Sequence, residues 1–248
     1  MILFRGLHCS LKIGNRKYIS MLRAWLTSQT CKSVQLMRLH GLCILTDADK
    51  KFKHPKHPHT FFRDIDPLLV WNELELLVDA GLAKSIGLCN FNREQVQHIL
   101  DNSRIKPANL EIEIHPYLPQ SDLVSFCLEH DVAVTAFAPF GSSNHSGEDA
   151  AVPLLLEEPI LKRIGDKYGK SPAQVVLHWL VQQNISVLPR AEKLSDLRED
   201  FEIFDFNLDD GDLLDIAQLG MKNVRYHSLD YWRDAPNYPW TEDGNHTH

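Results

Sequence analysis

The sequence predicts an α/β protein whose parallel sheet closes as a (β/α)8 TIM-type barrel. Three observations predict it. From residue 67 onward, short apolar segments alternate with helical stretches long enough to cross back over a sheet, the pattern of right-handed βαβ units. Successive units of this size favour a barrel, whose active site lies where strands end and loops begin. No GxGxxG run follows any apolar segment, so the alternative, an open doubly wound sheet, lacks its usual signal.

Asp66-Pro67 opens the first clear helix, with proline at its first position. Leu68, Leu69, Trp71, Leu74, Leu77 and Val78 recur at helical spacing, and Gly81 stops it. Residues 83–88 (AKSIGL) read as a buried strand. Asn92 caps a helix from Arg93 to about Leu100, with Val96, Ile99 and Leu100 on one face. Asn109 to Ile114 is the next strand, Ser121 caps a helix through His130, and Asp131 to Phe137 is a further strand. Two helices follow, Glu158–Tyr168 and Pro172–Gln183, the second capped by Ser171. Ile185–Leu188 is the last strand. Helices near 194–200 and 209–218 lead into an irregular tail rich in aromatics. Lys51–Thr60 (KFKHPKHPHT) reads as a solvated connector; its His54, His57 and His59 could bind metal, but proline-spaced histidines in a loop favour the plainer reading.

The 248 residues are 44% hydrophobic, enough for a sizeable core in one domain spanning 1–248. The net charge of −7 and pI near 6.0 argue against nucleic-acid binding. No run of eighteen apolar residues suggests a membrane span, and Met1–Leu7 is too short an apolar run for a signal peptide. The five cysteines lack CxxC spacing and read as free thiols, so a cytoplasmic protein is expected. Charge is uneven. Residues 1–58 carry eleven Lys and Arg against Asp47 and Asp49, a net of +9, which leaves −16 for the rest of the chain. The basic residues are scattered, and no amphipathic helix organises them toward a nucleic acid or membrane.

The strand ends carry a recognisable series of motifs. Lys84-Ser85-Ile86-Gly87-Leu88-Cys89-Asn90-Phe91 resembles K-x-I-G-V-S-N-F of the aldo-keto reductases. Lys106-Pro107-Ala108-Asn109-Leu110-Glu111-Ile112-Glu113-Ile114-His115-Pro116-Tyr117 resembles K-P-x-x-N-Q-x-E-x-H-P-Y, and Ala136-Phe137-Ala138-Pro139-Phe140-Gly141-Ser142 resembles A-Y-S-P-L-G-S. Leu188-Pro189-Arg190-Ala191 stands where that family has I-P-K-S, and Phe204–Leu208 matches F-D-F-x-L. Tyr226–Trp232 is similar to the C-terminal loop of insect members. These co-linear motifs, matched in order between about residues 61 and 240, make the resemblance specific.

The resemblance implies a nicotinamide site at the barrel mouth. Cys89, Asn90 and Glu111 take the places of the Ser, Asn and Gln that hold the carboxamide, and Phe137 that of the Tyr that stacks on the nicotinamide ring. Pro139, Phe140, Gly141 and Ser142 form a turn whose N–H groups would meet a pyrophosphate. Arg190 replaces the Lys at the adenosine 2′-phosphate and Ala191 the neighbouring Ser. Asp196 falls where the family has an Arg over the adenine and phosphate, so an acid would face and repel the phosphate there; Glu199 keeps the adenine-binding Glu, and Asp200 replaces an Asn. NADP(H) is thus favoured slightly over NAD(H). The implied activity is hydride transfer to a small-molecule carbonyl, by a monomer.

The catalytic pattern departs from the family. The family's D-T-A-x-x-Y run, source of a catalytic Asp and Tyr, has no counterpart, since Asp47-Ala48-Asp49 lacks a following Tyr. Leu22–Thr27 matches a helix of the family, and counting onward aligns His40 with the catalytic His. Counting back makes Leu3–Leu7 the family's third strand, with Leu7 near the position of its catalytic Lys; Lys12 is the nearest lysine. The expectation is a barrel incomplete at the N-terminus, about six of eight strands, with residues 1–60 diverged or damaged by a truncated gene model. Such a chain would be a carbonyl reductase by descent or a non-catalytic relative that binds cofactor or a partner.

Overall fold

The computed structural model describes residues 66–141, 154–228, 233 and 235–240, with the backbone of 34–40, 45–46, 53–54 and 57–62. Five strands form one parallel sheet: β1 (Val34–His40), β5 (Ala83–Cys89), β6 (Asn109–Glu113), β7 (Ala133–Phe137) and β8 (Ser186–Leu188), neighbours in that order. Each pairs with the next in sequence across a crossover, the stepwise order of a barrel wall. The expected strand at Leu3–Leu7 and the helix around Leu22–Thr27 lie outside the described residues.

A second, three-stranded antiparallel sheet comprises β2 (Leu45–Thr46), β3 (Lys53–His54) and β4 (His57–Phe62), with β4 central. It corrects the expected connector at Lys51–Thr60. The run carries little apolar alternation, and Pro58, which cannot donate to a ladder, argues against a central strand. The register shifts between Lys53 and His54, which pair with Phe61 and His57, and Pro58 falls in the interval skipped.

The crossover helices start where the sequence expects. In α1 (Pro67–Asp79) the Asp66 carboxylate accepts from Leu68 N at 2.9 Å. Val70, Trp71, Leu74 and Leu77 are buried beneath it, and Trp71 Nε1 donates to Ile105 O at 2.9 Å. Asn92 and Gln95 form a reciprocal capping box at α2 (Arg93–Asn102), as Ser171 and Gln174 do at α5 (Pro172–Gln182). At α3 (Ser121–Glu129), Ser121 is the first helical residue rather than the cap. Gln120 precedes it with φ 47°, and its side chain donates to Glu113 O at 2.6 Å. The helices α4 (Pro159–Tyr168), α6 (Leu194–Phe201) and α7 (Asp210–Leu219) complete the wall.

Ile86, Leu88, Leu110, Ile112, Val134, Ala136 and Val187 pack the sheet into one apolar core. Gly87 lets β5 and β6 approach, since a Cβ there would lie 2.7 Å from Asn109 O. Among the described residues no helix is long and apolar enough to cross a membrane.

Candidate functional site

Because the five strands run parallel, their C-terminal ends gather at one rim. Register pairs His40 with Cys89, Cys89 with Glu111, and Glu111 with Thr135. Residues level across a sheet share a face, and Phe137, two positions past Thr135, returns to it. Cys89, Glu111 and Phe137 therefore present to one side of the rim. The backbone of His40 is level with Cys89; its side chain lies outside the described residues.

Asn90 follows β5 with φ 57°, a left-handed conformation that asparagine tolerates better than most residues. Its N–H donates to Glu111 O at 2.9 Å, which ties the two strand ends together. The side chain is 3% exposed, and its Oδ1 is buried without a hydrogen-bond partner among the described residues. A buried amide oxygen of this kind calls for a donor. Glu111, 1% exposed, carries its carboxylate on the adjoining strand, level with Cys89. A carboxamide NH₂, with its two N–H donors, suits this pair of acceptors.

Phe137 is half-buried at the rim, with its ring centroid 5.6 Å from that of His227 and the planes inclined by 65°. Beyond it, residues 138–141 make a tight turn in which Gly141 N donates to Ala138 O at 2.8 Å. Gly141 has φ 70°, and a Cβ there would come within 2.6 Å of the Tyr226 ring, so glycine is required twice over. Pro139 is buried and Phe140 half-buried in this turn; Ser142 lies outside the described residues.

The residues past β8 form a different surface. Arg190 is 81% exposed and pairs with Glu192 at 3.1 Å, beside half-buried Ala191. Asp196 accepts from Lys193 N at 3.1 Å and Glu192 N at 3.2 Å, which hold its carboxyl below the usual range. The acid expected to oppose a phosphate is thus engaged in capping a helix. Glu199 accepts from the Ser171 hydroxyl, and its carbonyl takes Gln174 Nε2 at 3.1 Å. Asp200 is buried, and burial, with the charges of Glu199 and Asp196, pushes its carboxyl up to about 6.

Four residues at the mouth had no role assigned from sequence. Glu113 and His115 are fully buried, with His115 Nε2 2.9 Å from Glu113 Oε1. Glu113 also accepts from Tyr226 N at 2.7 Å and His227 N at 2.9 Å. Burial works to raise the Glu113 pKa; the His115 hydrogen bond and charge, the Tyr226 N–H and the His227 charge outweigh it and hold the carboxyl below its usual value. A signal existed for the first two: a carboxylate at the end of a strand buried throughout, and an imidazole two residues past it. None existed for Tyr226 and His227, which meet Glu113 across more than a hundred residues. Nearby, the buried Tyr117 hydroxyl donates to Glu158, which Lys222 also contacts, and Lys222 Nζ lies 4.6 Å above the Tyr117 ring. Burial, then the Glu158 hydrogen bond and charge, raise the Tyr117 pKa, so the phenol stays protonated and anchors the start of the tail.

The profile of the Aldo/keto reductase family matches residues 23–220. The chain is 40% identical over 176 residues to the rabbit (Oryctolagus cuniculus) aldo-keto reductase family 1 member D1, across 70% of this chain and 54% of that protein. It thus spans about half the length of that curated relative. Among solved structures, the aldose reductase of Schistosoma japonicum superposes with a TM-score of 0.78 at 32% identity, covering 92% of this chain and 70% of that one. The Bombyx mori aldo-keto reductase AKR2E4, in complex with NADP, gives 0.77 at 29% identity, covering 90% and 69%.

Proposed function

The chain belongs to the aldo/keto reductase family, and from that premise we propose that its barrel mouth binds NADP(H), in the manner of a reductase acting on small carbonyl compounds. The observation that carries this reading is Asn90: a buried amide oxygen in want of a donor, at a strand end beside Glu111 and on the rim that Phe137 shares. Bound there, the cofactor would supply a hydride. Asn90 Oδ1 would accept from the carboxamide and Glu111 would take its other N–H, fixing which face of the ring is turned to the barrel. Phe137 would stack on that ring; stacking needs only the aromatic face, so the missing hydroxyl is no obstacle. In the Ala138–Gly141 turn, where Pro139 has no N–H and Gly141 N is held by Ala138 O, the Phe140 N–H would meet the pyrophosphate, and Arg190 would meet the 2′-phosphate.

Proton delivery is the weak point. These 248 residues contain no D-T-A-x-x-Y run to place a phenol beside the carbonyl. A positioned acid contributes roughly 10²–10⁴-fold, and hydride transfer without it leaves an alkoxide in a partly apolar pocket. This favours a second reading, a cofactor-binding relative with little turnover, for this chain. NADPH oxidation with a small reactive aldehyde separates the two. Saturable NADPH binding with negligible turnover is expected. A rate lost on His40→Ala would instead make His40 a catalytic residue and refute the second reading.

A further inference from the structure

We propose that Glu113 is a positioning residue for cofactor binding, which holds residues 226 and 227 as a clamp across the mouth and thereby fixes both Phe137 and the Ala138–Gly141 turn. The inference rests on the reading of the mouth as an NADP(H) site.

Glu113 is fully buried, yet both its carboxylate oxygens are engaged. Oε1 accepts from Tyr226 N at 2.7 Å and from His115 Nε2 at 2.9 Å, and Oε2 accepts from His227 N at 2.9 Å. Three donors on one buried anion form a costly group to disturb: lifting the segment strands the carboxylate and its partners together. An apolar side chain could fill the same space, but it could not direct two consecutive backbone N–H groups.

That direction has consequences at two places. The Tyr226 ring lies against Gly141, so close that a Cβ at 141 would sit 2.6 Å from a ring carbon. The His227 ring meets Phe137, the residue level with Glu113 on the adjoining strand. One carboxylate thus sets a two-residue segment that touches the stacking ring on one side and the phosphate turn on the other. The carboxylate itself accepts from His115 and from the N–H groups of Tyr226 and His227. Its effect on binding runs through Tyr226 and His227, by limiting how far ring and turn drift apart when no cofactor is present.

The test uses the full 248-residue chain and NADPH binding followed by tryptophan fluorescence. Glu113→Gln keeps the shape but leaves one acceptor oxygen, so one backbone N–H of the clamp faces an amide NH₂. The expected result is a Kd raised roughly tenfold (about 1.4 kcal/mol), carried by faster dissociation in stopped flow, with the circular dichroism spectrum unchanged. His227→Ala, at an exposed side chain, should give a smaller loss. The double variant should be scarcely weaker than Glu113→Gln, because both changes release the same clamp. Equal NADPH affinity in wild type and Glu113→Gln overturns the proposal, as do strictly additive losses. If Glu113→Gln fails to fold, His227→Ala decides: a faster off-rate supports the clamp and an unchanged one refutes it. No saturable binding by the wild-type chain would instead sink the reading of the mouth.

Discussion

Along β6 the polar side chains are buried and the partners of Glu113, His115 apart, come from distant parts of the chain; beyond β8 the polar side chains are exposed and mostly satisfy near neighbours. Glu113 binds residues 226 and 227 from a fully buried position, whereas Arg190 meets Glu192 and Asp196 caps the residues just before it. The two regions would face opposite ends of one dinucleotide. On the proposed reading, the difference teaches that the nicotinamide side would be preorganised by buried electrostatics, while the phosphate side would be a screened surface whose charges can be exchanged at little cost to the fold. Substitutions at the buried carboxylates of β6 should move stability and binding together; those at the exposed charges beyond β8 should move cofactor choice alone.

The largest expected effect lies on the buried side. Glu113→Ala strands His115 and two backbone N–H groups, and should cost about 3–5 kcal/mol in urea unfolding. Because the Glu113 pKa is depressed in the fold, its contribution is present above the ordinary glutamate value of 4.5 and lost as the pH falls below it. Unfolding measured against pH should therefore show an acid limb that Glu113→Ala flattens. A loss under 1 kcal/mol would place Glu113 with the exposed charges and erase the contrast.

Asn90→Gly keeps the left-handed backbone and removes the amide. NADPH binding should weaken by about 1–3 kcal/mol with little change in melting temperature. Asp200 sharpens the comparison from the other side, as the buried exception among exposed neighbours. Its raised pKa means that its contribution is present at low pH and lost as the pH rises through about 6. Asp200→Asn should accordingly stabilise the chain at pH 7.5 by on the order of 1–3 kcal/mol and make no difference near pH 4. The smallest effect belongs to Arg190. Arg190→Met should weaken NADPH by roughly 1 kcal/mol, since its charge is screened, and leave NADH unchanged. Asp196→Asn, which retains a capping oxygen, should relax the opposing charge without the loss of helix that Asp196→Arg would bring. Equal effects of Arg190→Met on both cofactors would remove the 2′-phosphate role.

Much of this contrast was legible in sequence, and the limits of legibility follow it. Asn92, Ser171 and Pro67 announced their helices because a cap acts within four residues. Strands β5 to β8 were legible because buried parallel strands read as apolar runs. The antiparallel sheet of residues 45–62 was not, since Lys53, His54 and Pro58 carry no alternation and the pairing depends on a shifted register. The strand-end residues could be named from motifs, but not what each one touches. Asp196, read as a charge facing a phosphate, turned out to be a cap. The clamp from Glu113 to Tyr226 was invisible, because a hydrogen bond across 113 positions leaves no local pattern.

The most direct measurement is a titration of the 248-residue chain with NADPH, followed by tryptophan quenching, for wild type and Asn90→Gly in parallel. The buried amide oxygen predicts saturable quenching by the wild type and a Kd raised at least fivefold (about 1 kcal/mol) in Asn90→Gly. Saturable binding of equal strength in both chains would contradict the assignment of the strand-end amide to the nicotinamide.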